Sequence, residues 1–497
     1  MLNDYWKHFK SGTDIRAVAM DGVPNEPLDL TDEIVTRIVG AFAVWLSKKR
    51  GKPCEQLTVS LGRDSRLSGP RICDAAAAAL VSAGVTVLDC GLASTPAMFM
   101  TTVDLACDGA VQVTASHHPW HRNGLKFFLP SGGVESGDIT EILELAQDGV
   151  FQKAQDGKRV PTDYMRQYAA RLRALIVRET DGSDQPLKGM HIVVDAGNGA
   201  GGFYADEVLK PLGANVDGSQ FLEPDGRFPN HIPNPENPDA MASICAAVVR
   251  AKADLGVIFD TDVDRAGCVG ADGREINRNR LVALASAIAL EGNNGGTIVT
   301  DSITSTGLKY FIEEVLGGVH CRFKRGYKNV INESLRLNAL GINSPLAIET
   351  SGHAALRENY FLDDGAYLVT KIIIKAVNLR KEGKTLSDLI AALPEPTESM
   401  ELRYTIHEQD FRTYGERVLA DLEQYATLHG WQVADDSREG VRVSFDEQNG
   451  DGWFLLRLSV HDPVMPLNVE SNVKGGCERI LAQLQPFMDK QGSLTKK

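Results

Sequence analysis

The first third of the chain alternates short apolar runs with an alanine-rich segment. Residues 57–61, 85–88 and 109–113 are rich in strand-forming residues, and their lengths fit buried strands. Residues 74–83 lie between two of these runs and are predicted to form a helix. Strand, helix and strand at this spacing predict right-handed βαβ units and a largely parallel sheet.

The pattern restarts further along the chain and then changes. Apolar runs at 191–194, 255–259 and 296–300 predict further α/β structure. Beyond residue 396 the runs alternate with turns, at 404–406, 441–445 and 453–458, which predicts a smaller α+β domain. The polar segment 179–185 is predicted to be a linker, and the tail 492–497 to be disordered.

Length and composition exclude several classes of protein. A chain of 497 residues suggests three or four domains at about 150 residues each. The net charge of −14 disfavours nucleic acid as a partner, and an anionic substrate would need Arg and Lys from several parts of the chain. No apolar run is long enough to span a membrane, and the first residues do not resemble a secretory signal. Eight scattered cysteines without a CxxC pair fit reduced thiols in the cytoplasm.

Three aspartates at alternate positions give the sharpest chemical signal. Asp260, Asp262 and Asp264 follow an apolar run and precede Arg265. On a plain strand their carboxylates would share one face and repel, and a hard divalent cation with oxygen ligands relieves that repulsion. Arg265 adds a fork of donors for an oxyanion. A solvated acidic turn is the alternative, but α/β proteins bind ligands at strand ends of this kind.

The same segment also fits the nucleophile motif of haloacid-dehalogenase-like phosphatases. Under that interpretation Asp260 accepts the phosphoryl group and Asp262 is the acid. The interpretation leaves Asp264 unused and needs no serine elsewhere in the chain.

A second candidate is the serine in Thr-Ala-Ser-His-His-Pro, after the run 109–113. Ser116 in a tight loop beside His and Pro is a candidate covalent carrier if a metal or base activates it, and Lys126 is spaced to supply charge. The alternatives are a helix N-cap serine and a metal site at His117 and His118. Adjacent histidines point in different directions on most backbones, which disfavours zinc.

A glycine-rich turn offers a rival function. Residues 197–202 read GNGAGG after an apolar run, and Asp217 lies 20 residues beyond Gly197, as in dinucleotide-binding folds. However, Asp195 precedes the turn, which is unusual beside a phosphate. An oxidoreductase and a tight strand-to-helix turn both stay open at this point.

Two further loops carry polar groups suited to a sugar phosphate. Glu349, Ser351 and His353 follow an apolar run and offer donors and acceptors for hydroxyl groups, although an N-capped helix start is the alternative because 354–356 looks helical. Arg457 and Ser459 end a late strand and suit a phosphate dianion, although a surface turn is equally compatible.

In this order the motifs resemble the α-D-phosphohexomutase family, especially the phosphoglucomutase/phosphomannomutase group. The resemblance covers about residues 11–470. Supporting stretches are GTDIR at 12–16, GRDSRLSG at 62–69, STP at 94–96 and EPDGRFP at 223–229. The glycine-rich turn is then similar to a strand-to-turn segment of the family's second domain.

The resemblance implies four domains around a central cleft, three α/β with mixed sheets and a smaller C-terminal α+β domain that binds phosphate. The expected domains are 1–160, 161–272, 273–390 and 391–497. It implies a mutase that interconverts hexose 1-phosphate and hexose 6-phosphate of glucose or mannose, through a phosphoserine and a hexose 1,6-bisphosphate that is intermediate and activator. One Mg²⁺ per chain is expected.

The resemblance also assigns roles to individual residues. Ser116 would be the phosphoserine and a metal ligand together with Asp260, Asp262 and Asp264. The residues implied to bind sugar or phosphate, or to act in catalysis, are Arg16, Lys126, Arg265, Lys328, Glu349, Ser351, His353, Arg457 and Ser459. Lys126 and His353 are the candidates for proton transfer. The expected partner is a small sugar phosphate, with no nucleic acid or membrane, and the expected state is a monomer or homodimer in the cytoplasm.

Two departures from the family pattern affect the subgroup. His118 stands where Asn is frequent, and the last loop reads RLSVHDP with His461 and Asp462. The preferred hexose is therefore open, with phosphoglucosamine mutase as an alternative function and a non-catalytic sugar-phosphate sensor as a further one.

Overall fold

The computed structural model describes residues 1–151, 157–459 and 462–497. The chain forms two compact units: unit 1 is Met1–Asn277 with Ser351–Ser387, and unit 2 is Arg278–Thr350 with Asp388–Lys497. The predicted division into four domains at 160, 272 and 390 is finer than this and stays a prediction. No helix among the described residues is both long and apolar enough to cross a membrane.

The first part of unit 1 contains an eight-stranded mixed sheet. Its strands are β1 (Lys10–Ser11), β2 (Asp14–Val18), β3 (Thr58–Arg63), β4 (Thr86–Leu92), β5 (Gly109–Val113), β6 (Arg122–Leu129), β7 (Gly132–Gly133) and β8 (Lys158–Pro161). The order is β1-β2-β6-β5-β3-β4-β8, and β7 pairs with β6. The strands β5, β3, β4 and β8 are parallel, as predicted, whereas β1, β2, β6 and β7 pair antiparallel.

Helices cover both faces of this sheet. They are α1 (Asp4–Lys7), α2 (Asp32–Arg50), α3 (Gly69–Ser82), α4 (Thr95–Asp104), α5 (Ser136–Gln147) and α6 (Tyr164–Glu179). Phe127 stacks on Phe42 of α2, with ring centroids 4.4 Å apart, whereas Phe128 contacts Phe99 of α4. Neighbouring side chains of β6 thus reach opposite faces, as the period of a strand requires. The helix predicted at 74–83 begins earlier, at Gly69.

The second part of unit 1 contains a four-stranded sheet and one long helix. Its strands are β9 (Ile192–Asp195), β10 (Leu255–Phe259), β11 (Ala266–Gly270) and β12 (Glu275–Ile276), in the order β12-β11-β10-β9, with β9 and β10 parallel. The helix α7 (Pro238–Ala251) has Asn237 as its N-cap, and the Asn237 side chain accepts from the Ala240 backbone N–H. Residues 180–190 connect α6 to β9 without a helix or strand.

Unit 2 begins with three parallel strands and their helices. These elements are α8 (Asn279–Leu290), β13 (Thr297–Thr300), α9 (Thr306–Tyr310), β14 (Val319–Arg322), α10 (Tyr327–Ala339) and β15 (Leu346–Ile348). The strand β13 lies between β14 and β15 and pairs with both in parallel. The chain then returns to unit 1 for the antiparallel pair β16 (Ala354–Leu356) and β17 (Leu362–Asp363), followed by α11 (Gly365–Lys381).

The remainder of unit 2 is an antiparallel sheet with two long helices and the short helix α12. The elements are α12 (Leu386–Leu389), β18 (Glu398–Ile406), α13 (Phe411–Leu428), β19 (Gln432–Val433), β20 (Val441–Phe445), β21 (Gly452–Leu456), β22 (Val464–Ser471), α14 (Gly476–Met488) and β23 (Leu494–Lys496). The strand order is β19-β20-β21-β22-β18-β23. With three preceding α/β portions, this antiparallel domain confirms the predicted fold class.

Two local predictions are wrong. The tail does not lack structure: Tyr404, Thr405 and Ile406 pair antiparallel with β23, and Leu494 packs at the edge of the domain core. Its polar residues gave no apolar pattern, because the pairing is made by the backbone. Residues 354–356 form β16 instead of a helix, since burial in a strand pair outweighs the helix propensity of alanine.

A buried carboxyl group lies inside unit 2. Trp453 Nε1 donates to Glu470 Oε2 at 3.0 Å, and the Arg442 guanidinium stacks on Trp453, 3.6 Å from the ring centroid. Burial raises the pKa of Glu470 to about 7, although Arg442 and the Trp453 hydrogen bond act in the opposite direction. Native Glu470 therefore keeps a proton that the unfolded chain releases near the ordinary glutamate pKa of 4.5.

We expect Glu470→Gln to remove one pH dependence of stability. Between pH about 4.5 and 7 the unfolded chain loses the proton first, so this group lowers the free energy of unfolding as pH rises, by roughly 3 kcal/mol in total. Glutamine keeps an acceptor for Trp453 and does not titrate. The melting temperature of the variant, relative to wild type, should rise across this interval in calorimetry. The exposed Glu447→Gln serves as a control, and a constant difference for Glu470→Gln would refute the assignment.

Candidate active site

Ser116 lies in a buried turn at the carboxyl end of β5. Its φ of +50° is unusual for a residue with a side chain, and only 3% of its surface is exposed. The backbone N–H donates to Thr114 Oγ1 at 2.9 Å, and the hydroxyl donates to Asp260 Oδ2 at 3.1 Å. The element that follows is the strand β6, so Ser116 is not a helix N-cap.

The Arg66 guanidinium group binds the backbone of this turn. Arg66 donates to the carbonyl oxygens of Ser116, His118, Pro119 and Arg122, the last two at 2.8 Å. The Arg66 side chain is fully buried and is paired with Asp64, Nε to Oδ2, at 3.3 Å. The loop that carries Ser116 is therefore shaped by a residue about 50 positions earlier, at the end of the neighbouring parallel strand β3.

Asp64 completes this support. Its Oδ2 accepts from Thr114 Oγ1 at 2.7 Å, and its Oδ1 accepts from the Arg66 backbone N–H at 2.9 Å. The sequence GRDSR at 62–66 by itself assigns no role to these two side chains. Residue spacing does not reveal this Arg–Asp pair, because Arg66 binds backbone carbonyls, which every residue carries.

The three aspartates converge after β10, as predicted. Carboxylate oxygens of Asp260, Asp262 and Asp264 lie within 4.8 Å of one another, and all three side chains are buried. Val263, between them, has φ +69°, so the segment is a tight turn and not a continued strand. Burial, with Asp264 and Asp262, raises the pKa of Asp260 well above its usual range. Three carboxylates that crowd into one buried turn favour a cation beside them.

The three aspartates differ in their hydrogen bonds. Asp262 Oδ1 and Asp264 Oδ1 are buried and have no hydrogen-bond partner among the described residues. Such orphaned oxygens fit a hard cation. Asp260, by contrast, accepts from the Arg265 backbone N–H with Oδ1 and from Ser116 Oγ and Arg265 Nε with Oδ2. Both oxygens of Asp260 therefore have hydrogen-bond partners, whereas Asp262 and Asp264 each have one orphaned oxygen.

Cationic side chains surround the aspartates. Lys126 Nζ contacts Asp264 Oδ2 closely and lies 3.3 Å from Asp262 Oδ2. Arg265 Nε lies 3.2 Å from Asp260 Oδ2, and its Nη2 lies 3.4 Å from Ser116 Oγ.

Thr95, from α4, also donates to Asp262 Oδ2, a contact that the sequence did not suggest. Arg16, on β2, is half-buried and pairs with Asp14 at 2.9 Å.

The residues that follow the sheet of unit 2 return to this region of unit 1. Oxygen and nitrogen atoms of Asp264, His353 and Asp363 lie within 4.8 Å of one another. His353 Nδ1 contacts Asp363 Oδ2 closely, and Asp363 with Asp264 raises the pKa of the half-buried His353 to about 9, against the effect of desolvation. The buried Ser351 Oγ has no hydrogen-bond partner within the described ranges.

The adjacent histidines do not form a metal site. Their ring centroids are 5.5 Å apart at an angle of 51°. Arg265 Nη2 donates to His117 Nδ1 at 2.6 Å, so this nitrogen accepts from a cation. Neither His117 nor His118 belongs to a metal-binding cluster of the residues that the structure describes.

The glycine-rich turn packs on the aspartate segment instead of cradling a dinucleotide. A side chain at Gly199 would meet the Thr261 carbonyl oxygen at 2.6 Å, and one at Gly201 would meet the Phe259 ring at 2.9 Å. Asp195 is occupied by the Gly197 backbone N–H at 2.9 Å and by Gln220 Nε2 at 2.7 Å. The glycines are explained by close packing, so the turn does not need a cofactor.

The remaining predicted residues lie in unit 2. Glu349 follows β15 and accepts from the Gly326 backbone N–H at 2.6 Å, while Lys328 lies in the first turn of α10. Arg457 follows β21 and is 9% exposed, so it is not on a surface turn. The Ser459 backbone N–H donates to the Val464 carbonyl at 2.9 Å. His461, which departs from the family pattern, lies outside the described residues.

The fold and the buried serine–aspartate arrangement define a class of phosphoryl-transfer enzyme, and comparisons with known proteins identify it. Three α/β/α domains of the phosphoglucomutase/phosphomannomutase family match residues 12–153, 165–273 and 277–397. A phosphomannomutase/phosphoglucomutase of Pseudomonas putida is 30% identical over 94% of this chain and 93% of its own. A phosphoglucomutase/phosphomannomutase of Thermococcus kodakarensis is 31% identical over 90% and 92%.

A solved structure agrees with these matches. A phosphoglucomutase/phosphomannomutase family protein of Burkholderia thailandensis superposes with a TM-score of 0.81 at 28% identity, over 99% of both chains. The chain belongs to the phosphoglucomutase/phosphomannomutase group of the α-D-phosphohexomutase family. It is a phosphohexomutase, and hence an isomerase, which replaces the oxidoreductase and phosphatase interpretations.

Proposed function

We propose that the protein interconverts the 1- and 6-phosphates of glucose and mannose, with Ser116 as the phosphoryl carrier. The observation that carries the proposal is the Ser116 hydroxyl, 3.1 Å from Asp260 Oδ2 in a preformed turn beside three buried carboxylates. A serine that is held this way is positioned for repeated phosphorylation. The names of the relatives support glucose and mannose as the hexoses.

In the proposed first step, phosphorylated Ser116 transfers its phosphoryl group to the free hydroxyl of the hexose phosphate. The bond from phosphorus to Ser116 Oγ breaks and Oγ takes up a proton, while a bond to the sugar oxygen forms and the sugar hydroxyl proton leaves to a protein base. The product is hexose 1,6-bisphosphate. In the second step the Ser116 hydroxyl gives up its proton to a protein base and accepts the other phosphoryl group, while a proton returns to the sugar oxygen. This regenerates the phosphoenzyme and releases the isomer.

Several side chains of unit 1 have roles in this scheme. Lys126 and His353 are the proposed proton carriers, and the Asp363 carboxylate fixes the His353 ring through Nδ1, so that Nε2 is the reacting nitrogen. Arg265 and Arg16 neutralise phosphate charge. Ser351 supplies a hydroxyl to the sugar.

Asp260, Asp262, Asp264 and Ser116 would hold one Mg²⁺, which fits the orphaned buried oxygens of Asp262 and Asp264. When bound, such an ion neutralises charge that develops on the transferring phosphoryl group. In unit 2 we assign the sugar to Glu349 and Lys328, and the phosphate that does not react to Arg457 and Ser459.

The proposal extends to the setting of the enzyme. All eight cysteines lie in the described ranges and are free, which supports a reducing compartment such as the cytoplasm. The net charge of −14 supports a small sugar phosphate, and not a nucleic acid or membrane, as the partner. We expect a monomer or homodimer.

A substrate panel tests the proposal. Glucose, mannose and glucosamine 1-phosphates are assayed with Mg²⁺ and the matching 1,6-bisphosphate as activator, and phosphopeptide mapping locates the phosphate. We expect turnover of the first two sugars and a phosphate on Ser116. Turnover of glucosamine 1-phosphate alone would indicate a phosphoglucosamine mutase. Tight binding without turnover of any sugar would indicate a sensor.

A further inference from the structure

The Glu439 carboxylate contacts three segments of unit 2 that lie in different parts of the sequence. Glu439 Oε2 accepts from Ser302 Oγ at 2.7 Å and from the Arg325 backbone N–H at 3.0 Å. Its other oxygen, Oε1, lies 3.9 Å from Arg457 Nη1. One side chain thus contacts the end of β13, the loop before α10 and the arginine after β21.

The backbone beside Glu439 packs closely against the backbone at Arg457. Gly440 has φ +62°, and a side chain there would meet the Leu456 carbonyl oxygen at 2.2 Å and the Arg457 Cα at 2.9 Å. Only glycine allows this approach, so the 439–440 turn and the start of the Arg457 loop are held in one arrangement.

Glu439 neutralises Arg457 without consuming its donors. A separation of 3.9 Å is an ion pair and not a hydrogen bond. Arg457 Nε is buried and has no partner within the described part of the chain. Donors of a buried guanidinium that stay unused are suited to the oxygens of a phosphate.

A second guanidinium lies close to the first. Burial and Arg325 both lower the pKa of Arg457, while Glu439 and Asp301 act in the opposite direction. Arg325 Nε is 3.9 Å from Asp301 Oδ2, and the Arg325 side chain is 24% exposed. Two arginines that repel each other are stabilised by a dianion that contacts both.

We propose that Arg325 joins Arg457 in binding the non-reacting phosphate of the substrate, and that Glu439 is the positioning residue for both. This inference rests on the proposed function, which assigns that phosphate to Arg457. The Arg325 backbone N–H fixes the loop, and the ion pair with Arg457 directs the second guanidinium.

Equilibrium binding of glucose 1-phosphate to Ser116→Ala protein tests the inference without the complication of turnover. In this background we expect Arg457→Gln and Arg325→Gln each to raise the Kd about tenfold to a hundredfold in calorimetry. Glu439→Gln keeps acceptors for Ser302 and Arg325 but loses the charge, and should raise the Kd about fivefold. The exposed Arg438→Gln and Glu447→Gln are matched controls that should bind as the background does.

A coupling measurement separates positioning from general damage. Adding Glu439→Gln to the Arg325→Gln, Arg457→Gln double variant should change the Kd less than about twofold, because its targets are gone. Arg325→Lys, which keeps the charge, should recover part of the affinity. If Arg457→Gln binds like the controls, the proposed phosphate site itself is wrong. If Arg457→Gln weakens binding while Arg325→Gln or Glu439→Gln does not, only this inference is overturned.

Discussion

Replacing Ser116 with alanine is expected to abolish mutase activity, with a loss of about 10⁴-fold or more in kcat. The alanine variant lacks the oxygen that carries the phosphoryl group, while the turn should persist because Arg66 binds its backbone carbonyls and not the side chain. Intact-protein mass should show one phosphate on wild type after incubation with the bisphosphate and none on the variant.

Two comparisons make this result decisive. Ser82→Ala, on α3, removes a hydroxyl that bonds only its own helix and should leave activity unchanged. Asp260→Asn tests the rival carrier. Full activity in Ser116→Ala together with loss of activity in Asp260→Asn would identify Asp260 as the phosphoryl carrier and refute the assignment to Ser116.

Removal of the metal site is expected to cost about 10³-fold in kcat/KM. Asp262→Asn should have this effect, because it removes a charge from the proposed cation site, and chelation of wild type should do the same reversibly. A second readout is independent of activity. Mg²⁺ at 100 times its Kd should stabilise wild type by about 2.7 kcal/mol, and this shift in melting temperature should vanish in the variant.

The cation-free stability of Asp262→Asn distinguishes this outcome from damage to the fold. Without Mg²⁺ the variant should melt at or above the wild-type temperature, since one of three crowded buried carboxylates is gone. Asp148→Asn removes an exposed charge and should respond to Mg²⁺ as wild type does. A wild-type Mg²⁺ shift in Asp262→Asn would contradict the metal assignment.

The sequence predicted the parts of the fold that depend on side-chain pattern. Strands β5, β10 and β20 begin and end where their apolar runs do, because each is buried along its length or on one face. It failed where tertiary pairing outweighs the local residue pattern. The tail strand β23 has one apolar residue, and β16 is made of residues that favour helices elsewhere.

In the candidate site, too, some residues could be predicted from the sequence and others could not. The aspartate turn, Ser116 and Lys126 could be predicted because unusual residue types recur at short spacing, and the structure brings them together in unit 1. The roles of Arg66 and Glu439 could not be predicted. Arg66 acts on backbone carbonyls and Glu439 joins residues more than 100 positions apart, so neither leaves a local pattern.

The Arg66 contacts also bear on the thermodynamics of turnover. A phosphoryl carrier gains and loses its dianion in every cycle, and a loop that was ordered only by that dianion would lose and regain its conformational entropy each time. Ordering costs about 1–2 kcal/mol per residue, so four or five residues would add several kcal/mol to the difference between the two states. Because Arg66 binds the carbonyl oxygens of the Ser116 loop, the loop is ordered without a phosphate, and we expect it to keep this conformation when Ser116 carries one. The two forms of the enzyme can then remain close in free energy, which is the condition for transfer to run readily in both directions.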